Sequence, residues 1–231
     1  MQIHGFNKTT LLDYPGHLAS TIFLGGCNFI CPFCHNKGLV LNPSKEPVIP
    51  TMLVLEHLVK RRNIIEGVCI TGGEPTLSMD LPYFIKQIKD LGLLVKLDTN
   101  GYRPDVLRGL LNEKLIDYIA MDIKSSPNNY SMLTGLPETD LNKINESINI
   151  IMSANIPYEF RSTLVKELHT FEDIDLIGKW IKGCHNFYIQ NYRENEHVIN
   201  PIYHGFEKEE LFTFQKHLSR YMKQVQIRGI D

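Results

Sequence analysis

The stretch GGCNFICPFCHN, residues 25–36, places three cysteines, Cys27, Cys31 and Cys34, within eight positions of a chain that contains only five. Two glycines precede the first cysteine and permit close backbone approach, while Pro32 restricts the chain between the second and the third. A tight group of thiols, in a chain with an odd total, is more typical of a metal or redox site than of structural disulfides. The stretch therefore predicts a metal site with three thiolate ligands.

Two kinds of metal site compete for this loop. A structural zinc ion takes four protein ligands, and His35, directly after Cys34, is badly placed to complete the same tetrahedron. A [4Fe–4S] cluster held by three thiolates leaves one iron open to an exogenous ligand. The spacing favours the iron–sulfur cluster, and a zinc-binding interaction module is the alternative from another functional class.

The rest of the chain has the pattern of an α/β protein. With 231 residues, 43% of them hydrophobic, it can bury a substantial core, and we expect a single domain over residues 1–231 rather than two small ones. Candidate strands lie at 18–24, 67–71, 93–98, 118–123, 158–165 and 186–192, and candidate helices at 51–63, 80–91, 104–113, 141–154, 172–182 and 207–223. Six strand–helix units predict a parallel sheet with right-handed crossovers, either an open partial (β/α)6 barrel of the TIM type or a doubly wound sheet.

Unusual residues follow one candidate strand after another. The cysteine loop follows the first, TGGEP (71–75) the second, DTNG (98–101) ends the third, MDIK (121–124) ends the fourth, and Arg161 lies in the fifth. Because the carboxyl ends of parallel strands meet at one edge, we expect a ligand site at this rim.

Charge and hydropathy exclude several partners. The formal net charge is −2 and the pI about 6.5, so a nucleic-acid partner is not expected. The sequence has no apolar run near the roughly 20 residues that span a bilayer, and the N-terminal segment lacks an apolar signal core. We expect a cytoplasmic protein without a membrane partner.

The cysteine loop resembles the C-x3-C-x-aromatic-C signature of the radical S-adenosylmethionine superfamily, with Phe33 at the aromatic position. The resemblance implies a partial barrel of the radical SAM type. It also implies that S-adenosylmethionine chelates the open iron of a [4Fe–4S] cluster and is cleaved reductively to a 5′-deoxyadenosyl radical. TGGEP resembles the GGEP motif of that superfamily, in which the backbone at Gly72 and Gly73 binds the methionyl ammonium and Glu74 fixes the turn.

Further segments narrow the resemblance to the glycyl-radical-enzyme activases. DYPG (13–16), CHN (34–36), DTNG, MDIK and YSMLTG (130–135) are similar to activase segments over about residues 5–165. The resemblance implies a cofactor site with the following residues: Phe33 and His35 of the loop, Asp98 and Asp122 near a monovalent cation, Lys124 and Arg161 at the methionyl carboxylate, and Asn100 at the ribose.

The resemblance also concerns the partner. Asp13 matches the aspartate that faces the incoming glycine-bearing peptide, although Tyr14 replaces a glycine there. QNYR (190–193) stands where pyruvate formate-lyase activases carry a ribose-contacting histidine, and Arg193 is a candidate substitute. This difference and the closing VQIRGID favour an activase of anaerobic ribonucleoside-triphosphate reductase, with a flavodoxin- or ferredoxin-type electron donor.

Three alternatives stay open at this point. They are an activase of the pyruvate formate-lyase type, a superfamily member acting on a small molecule, and the zinc module. The other two cysteines are not assigned to the site. Cys69 is interpreted as a small buried hydrophobe within a strand, and Cys184 as a loop thiol.

Overall fold

The computed structural model describes residues 1–230, and over that range the strands form one sheet of eight, in the same order in space as in sequence. The strands are β1 (Ile3–Thr10), β2 (Ala19–Leu24), β3 (Gly67–Gly72), β4 (Leu94–Thr99), β5 (Tyr118–Asp122), β6 (Tyr158–Leu164), β7 (Asn186–Asn191) and β8 (Gln224–Arg228). The helices are α1 (Lys37–Leu41), α2 (Thr51–Arg61), α3 (Leu81–Asp90), α4 (Pro104–Asn112), α5 (Tyr130–Thr134), α6 (Leu141–Ser153), α7 (Phe171–Trp180) and α8 (Lys208–Leu218).

The predicted α/β architecture with a mostly parallel sheet is confirmed. Strands β2 to β8 pair in parallel with their sequence neighbours, and the six predicted strands agree with β2 to β7 to within a residue or so at each end. At one edge the sheet departs from parallel pairing, because β1, which was not among the predicted strands, pairs with β2 in the antiparallel direction. A short loop can join such a pair, whereas a parallel pair needs a long crossover.

Both edge strands are additions to the prediction. In β1, whose sequence is IHGFNKTT, polar and apolar residues do not alternate clearly. Most of its residues are half-buried or exposed. The predicted helix over 207–223 was too long, since α8 ends at Leu218 and the chain then enters β8. Edge strands have only one neighbouring strand, and strand propensity differs between edge and central positions.

The two faces of the sheet differ in polarity. In β4, Val95 and Leu97 are fully buried in the hydrophobic core, whereas Lys96 and Asp98 alternate with them and point to the opposite face. The register continues this polar face across the sheet, because Asp122 of β5 lies opposite Arg161 of β6. The inner face therefore lines a polar cavity, and the outer face packs under the helices.

The sheet is open where β1 and β8 would have to meet. Among residues 1–230, each of these strands pairs with one neighbour only. The loop after β1 turns back across the base of the sheet, where Tyr14 is 2% exposed and packs edge-on against Tyr118 at 5.8 Å between ring centroids. The buried Tyr14 thus anchors the loop that carries Asp13. Over the same range, no helix has the length and apolarity needed to cross a membrane.

Candidate functional site

A cavity lies at the carboxyl ends of β2 to β7, at the rim where the ligand site was expected. Its walls include most of the residues assigned to the site from the sequence: Cys27, Cys31, Phe33, Cys34, His35, Gly72, Gly73, Asp98, Asn100, Asp122, Lys124 and Arg161. Residues that the sequence reasoning did not select also line it: Phe29, Asn36, Val40, Thr71, Thr99, Thr163 and Gln190.

The cysteine loop is ordered by its own backbone. The sulfur of Cys27 accepts a hydrogen bond from Phe29 N–H at 3.4 Å, and that of Cys34 accepts one from Asn36 N–H at 3.4 Å. Burial raises the pKa of the Cys27 thiol to about 11 and that of Cys31 to about 12. Raised thiol pKa values mean that a metal that binds these cysteines must displace their protons.

The donor set fits an iron–sulfur cluster. Three thiols line one cavity, yet nowhere in residues 1–230 do three His, Cys, Asp or Glu side chains gather closely enough for a single metal ion. Cysteines that bind a cubane each take a different iron, so their sulfurs need not converge on one point. The buried Asn28 Nδ2, beside Cys27, has no partner within that range and is available to a bound group.

The glycine-rich turn after β3 is fastened to the start of the cysteine loop. Gly73 N–H donates to the carbonyl of Leu24, and Glu74 N–H donates to the carbonyl of Gly26, both at 2.8 Å. A Cβ on Gly73 would lie 1.9 Å from the oxygen of Gly26, and Gly72 has a φ of +118°, so both positions require glycine. The two motifs therefore touch through their backbones.

Glu74 connects this turn to the end of β4. Its carboxylate is 2% exposed and accepts hydrogen bonds from Asn100 N–H at 2.7 Å, Thr99 Oγ1 at 2.8 Å and Thr76 N–H at 3.1 Å. Burial raises the pKa of Glu74, and the hydrogen bonds from Thr76 and Asn100 oppose that rise. The side chain lies behind the cavity wall, where it holds the turn rather than facing a ligand.

Two amide side chains and an imidazole form further hydrogen bonds between the cysteine loop and neighbouring segments. Asn100 Nδ2 donates to Asn28 Oδ1 at 2.9 Å, and Asn36 Nδ2 donates to the carbonyl of Gly72 at 2.7 Å. His35 Nε2–H donates to the backbone carbonyl of Arg193 at 2.7 Å. The cysteine loop is thus held to β3, β4 and the segment after β7.

A row of paired charges crosses the floor of the cavity. Arg161 donates to Asp98 Oδ2 from Nη1 at 3.0 Å and to Asp122 Oδ1 from Nε at 2.8 Å. Lys124 Nζ donates to the other oxygen of Asp122 at 2.9 Å. Burial by itself would raise the pKa of Asp122, but Arg161 and Lys124 hold it well below its usual value. This row brings the predicted carboxylate-binding cations into one contiguous group.

Lys96 extends the row and was not selected from the sequence. Its ammonium contacts Asp98 Oδ1 and lies 3.8 Å from the sulfur of Cys69. Cys69 is buried, as predicted, but it faces this charged row rather than an apolar core. A lysine two positions before an aspartate in a β-strand was the only signal that could have indicated this contact.

Asp13 lies outside the main cavity, in a second one that adjoins it. This cavity is bounded by the loop after β1, by the end of β8 and by inner-face residues: Leu12, Asp13, Pro15, Lys96, Asp98, Glu159, Arg161, Gln190, Arg228 and Gly229. It shares Asp98, Arg161 and Gln190 with the main cavity. Asp13 Oδ2 accepts a hydrogen bond from Thr21 Oγ1 at 2.5 Å.

The two remaining sequence-based assignments are placed as follows. Arg193 donates from Nη2 to the carbonyl of Gly229 at 3.1 Å, and its side chain is not among the residues found to line the main cavity within 1–230. The backbone carbonyl of Arg193 accepts a hydrogen bond from His35 and so connects this segment to the cysteine loop. Cys184 lies in the loop before β7, as interpreted from the sequence, and its side chain is fully buried in the core.

Sequence comparison places this site among known proteins. A candidate glycyl-radical enzyme activating enzyme of Methanocaldococcus jannaschii is 32% identical over 99% of this chain and 96% of its own length. A probable GTP 3',8-cyclase of Sulfurisphaera tokodaii is 30% identical over 88% of this chain, but the match covers only 64% of the cyclase.

Comparison with solved structures agrees with the observed α/β fold. SuiB of Streptococcus suis, solved with its precursor peptide SuiA, matches 90% of this chain with a TM-score of 0.70 at 16% identity, and the match covers about half of SuiB, 48%. The model of the Radical SAM superfamily matches residues 21–179, which include the cysteine loop and all the carboxyl-terminal strand ends from β2 to β6. On that match, and on the relative that is similar along nearly its whole length, the chain belongs to the radical SAM superfamily, whose members use a [4Fe–4S] cluster and S-adenosylmethionine.

Proposed function

We propose that this protein is an activase that forms a glycyl radical on a partner enzyme, and that the partner is anaerobic ribonucleoside-triphosphate reductase in the cytoplasm. The observation that carries the proposal is the second cavity between the loop after β1 and the end of β8. It adjoins the thiol-lined cavity and lies where the sheet is open, so a polypeptide loop could reach the site from the side. Similarity to a candidate activating enzyme along nearly the whole chain supports the same conclusion.

Different residues of the main cavity would bind the cluster and S-adenosylmethionine. Cys27, Cys31 and Cys34 would hold the [4Fe–4S] cluster, which when bound supplies the electron for reductive cleavage of S-adenosylmethionine. Lys124 and Arg161 would bind the methionyl carboxylate, because both are cations on the cavity wall. A flavodoxin- or ferredoxin-type protein would deliver the electron.

Asp13 would contact the glycine loop of the partner enzyme. It stands at the boundary of the second cavity on a loop anchored by the buried Tyr14, and its Oδ2 is already bound to Thr21. The other carboxylate oxygen, Oδ1, would accept a backbone N–H of the entering glycine loop. The glycyl Cα is a suitable hydrogen donor since the resulting radical is stabilised by the flanking amides.

A small-molecule substrate is the second candidate, because the GTP 3',8-cyclase of Sulfurisphaera tokodaii is 30% identical to this chain. That relative is longer, and 36% of it lies outside the 64% that the match covers.

The test combines the cluster-loaded protein, a reductant, S-adenosylmethionine and the reductase. We expect a glycyl radical signal in electron paramagnetic resonance, accompanied by a matching amount of 5′-deoxyadenosine. Replacement of the reductase glycine by alanine should remove the signal. Deoxyadenosine released with GTP in place of the reductase, together with a modified nucleotide, would support the second candidate and contradict the activase.

A further inference from the structure

Lys96 is a buried cation for which the cofactor assignments give no role. It is 2% exposed, lies in the middle of β4, and its ammonium contacts Asp98. Lysine is almost never fully buried unless it is paired, because an isolated ammonium in a protein interior is strongly disfavoured. The position of Lys96 therefore requires a reason.

The pairing pattern around Lys96 supplies that reason. The two aspartates of the row have four carboxylate oxygens, and each of the four accepts from a protein cation. Lys96 and Arg161 take the two oxygens of Asp98, while Arg161 and Lys124 take the two oxygens of Asp122. Three cations and two anions give the group a charge of +1, and the end of the row at Lys124 reaches the main cavity.

Each member of the row depends on its neighbours for its charge. Burial would lower the pKa of Lys96, but Asp98 raises it above the usual value of a lysine. Burial would also raise the pKa of Asp98, and Arg161 and Lys96 hold it below its usual value. Loss of Lys96 would leave one oxygen of the buried Asp98 without its cation, while the other oxygen still accepts from Arg161.

We propose that Lys96 is a positioning residue that serves as a built-in monovalent cation for Asp98. Its ammonium binds one oxygen of Asp98, so that the other oxygen holds Arg161 in the orientation that fixes Asp122 and thereby Lys124. This arrangement presents a fixed positive end to an anionic ligand group in the main cavity. The identification of that group as the S-adenosylmethionine carboxylate rests on the proposed function, whereas the role of Lys96 in the row does not.

The proposal has a direct chemical consequence. The protein as it stands needs no small cation at Asp98, and the monovalent cation implied by the activase resemblance is supplied by the chain itself. In Lys96→Met, a side chain of similar length without charge, one oxygen of the buried Asp98 loses its cation. Potassium or ammonium from the medium can then take that place, whereas choline is too large.

The experiment uses the cluster-loaded full chain in choline, potassium and ammonium chloride at equal ionic strength. Two quantities are measured: the S-adenosylmethionine dissociation constant, and the midpoint of thermal unfolding without S-adenosylmethionine. For the wild type we expect both to be the same in the three salts. For Lys96→Met in choline we expect about tenfold weaker binding, a size typical of coupling between neighbouring sites, and a lower midpoint, with both restored by potassium or ammonium.

The control variant is Lys89→Met. Lys89 is another partly buried lysine, and its ammonium binds Asp117 at 2.7 Å. It is not among the residues that line the two cavities within 1–230. This variant should show no dependence on the identity of the salt cation. A purely structural role for Lys96 would lower the midpoint of Lys96→Met equally in all three salts, and that result would overturn the proposal. A wild type that itself required potassium would overturn it as well.

A second variant keeps the test decisive if Lys96→Met does not fold. Lys96→Met combined with Asp98→Asn removes the buried carboxylate whose oxygen has lost its cation, so it should fold and show no salt-cation dependence. Folding of this double variant together with failure of the single variant supports the proposal, while failure of both contradicts it. Because the unfolding measurement needs no S-adenosylmethionine, it tests Lys96 even if the proposed function is wrong.

Discussion

The backbone N–H of Asn100 donates a 2.7 Å hydrogen bond to the buried carboxylate of Glu74, and so joins the glycine-rich turn after β3 to the end of β4. All the groups that contact this carboxylate are donors: two backbone N–H groups and two threonine hydroxyls. The glycines of the turn and the amide of Asn100 both line the main cavity. Glu74 therefore couples two walls of the site and is not itself among the residues of 1–230 that line the main cavity.

Glu74→Gln should destabilise the protein, because its amide NH2 would face donors instead of accepting from them. One buried group left unsatisfied typically costs about 1–3 kcal/mol, so we expect a decrease of about 2 kcal/mol in the free energy of unfolding. Urea unfolding measures this decrease in the free energy of unfolding. Glu113→Gln, at an exposed position, is the matched control and should change stability little. Equal stability of the Glu74 variant and the wild type would show that the turn does not depend on this carboxylate.

The cluster cysteines should be separable from the other two. Alanine at Cys27, Cys31 or Cys34 removes one of three thiolate ligands, so each variant should lose the iron, the sulfide and the visible charge-transfer band after anaerobic reconstitution. Cys184→Ala, at a fully buried core position, should keep all three. Iron and sulfide analysis provides the measurement. Bound zinc with no iron after anaerobic handling would favour the zinc-binding alternative.

Lys124→Ala should weaken cofactor binding and leave the cluster spectrum intact. Truncation of one partner of a buried charge pair costs a few kcal/mol, which corresponds to about one to three orders of magnitude in S-adenosylmethionine affinity. Equilibrium titration of the cluster-loaded protein measures the affinity. Lys143→Ala, whose ammonium lies over the Tyr102 ring at 4.7 Å, is a control that should bind normally. An unchanged affinity for the Lys124 variant would remove this residue from the cofactor site.

Asp13→Ala should uncouple cofactor cleavage from radical transfer. We expect nearly normal cluster content and deoxyadenosine formation, with a sharp fall in glycyl radical yield, because a charge-assisted contact of about 1.5–3 kcal/mol to the entering loop is lost. Chromatography and electron paramagnetic resonance on the same samples measure both products. Thr21→Val removes the hydrogen bond to Asp13 but keeps the carboxylate. If Thr21→Val reproduced the effect, Asp13 would act through the fold rather than on the substrate.

Asp173 should make stability depend on acidic pH. The side chain is 3% exposed and accepts from Ser126 Oγ at 2.5 Å and from Thr170 N–H at 2.9 Å, which ties α7 to the loop after Lys124. Burial would raise its pKa, but the hydrogen bonds from Ser126 and Thr170 hold it below the usual value. The contribution of a carboxylate with a lowered pKa is present above its unfolded-state pKa, about 3.9, and is lost as the pH falls through the folded-state value.

Asp173→Asn should accordingly be less stable than the wild type by about 1–2 kcal/mol at pH 7, where the carboxylate is charged in both states. The difference should persist down to about pH 4 and shrink below it. Urea unfolding at a series of pH values between neutrality and mild acid measures the difference. A difference that grew on acidification would have the wrong sign for this account.

Most of the site followed from the sequence because its residues lie at strand ends. Once six strands had been recognised, parallel pairing required that the cysteine loop, the glycine-rich turn, Asp98 and Asp122 meet at one rim. Gly73 illustrates why the motif is short and recognisable, since its Cβ would collide with the oxygen of Gly26. Local backbone constraints of this kind leave a clear trace in the sequence.

Other features depend on contacts between distant segments and left no such trace. Lys96 looked like an ordinary strand residue, because Asp122 and Arg161, which complete the charged row around its partner Asp98, come together only when β4, β5 and β6 pair. The edge strand β1 lacks a clear alternating pattern and β8 is only five residues long, yet the loop after β1 and the end of β8 form the boundary of the second cavity. The side chain of Arg193 was expected in the cofactor site, but it binds the carbonyl of Gly229.

The origin of the hydrogen atom taken up by deoxyadenosine tests the central claim most directly. The reductase would be prepared with glycine deuterated at Cα and incubated with the reduced, cluster-loaded protein and S-adenosylmethionine, and the deoxyadenosine analysed by mass spectrometry. The activase account predicts one deuterium in the deoxyadenosine for each glycyl radical formed. Deoxyadenosine without deuterium, and no glycyl radical on the reductase, would contradict it.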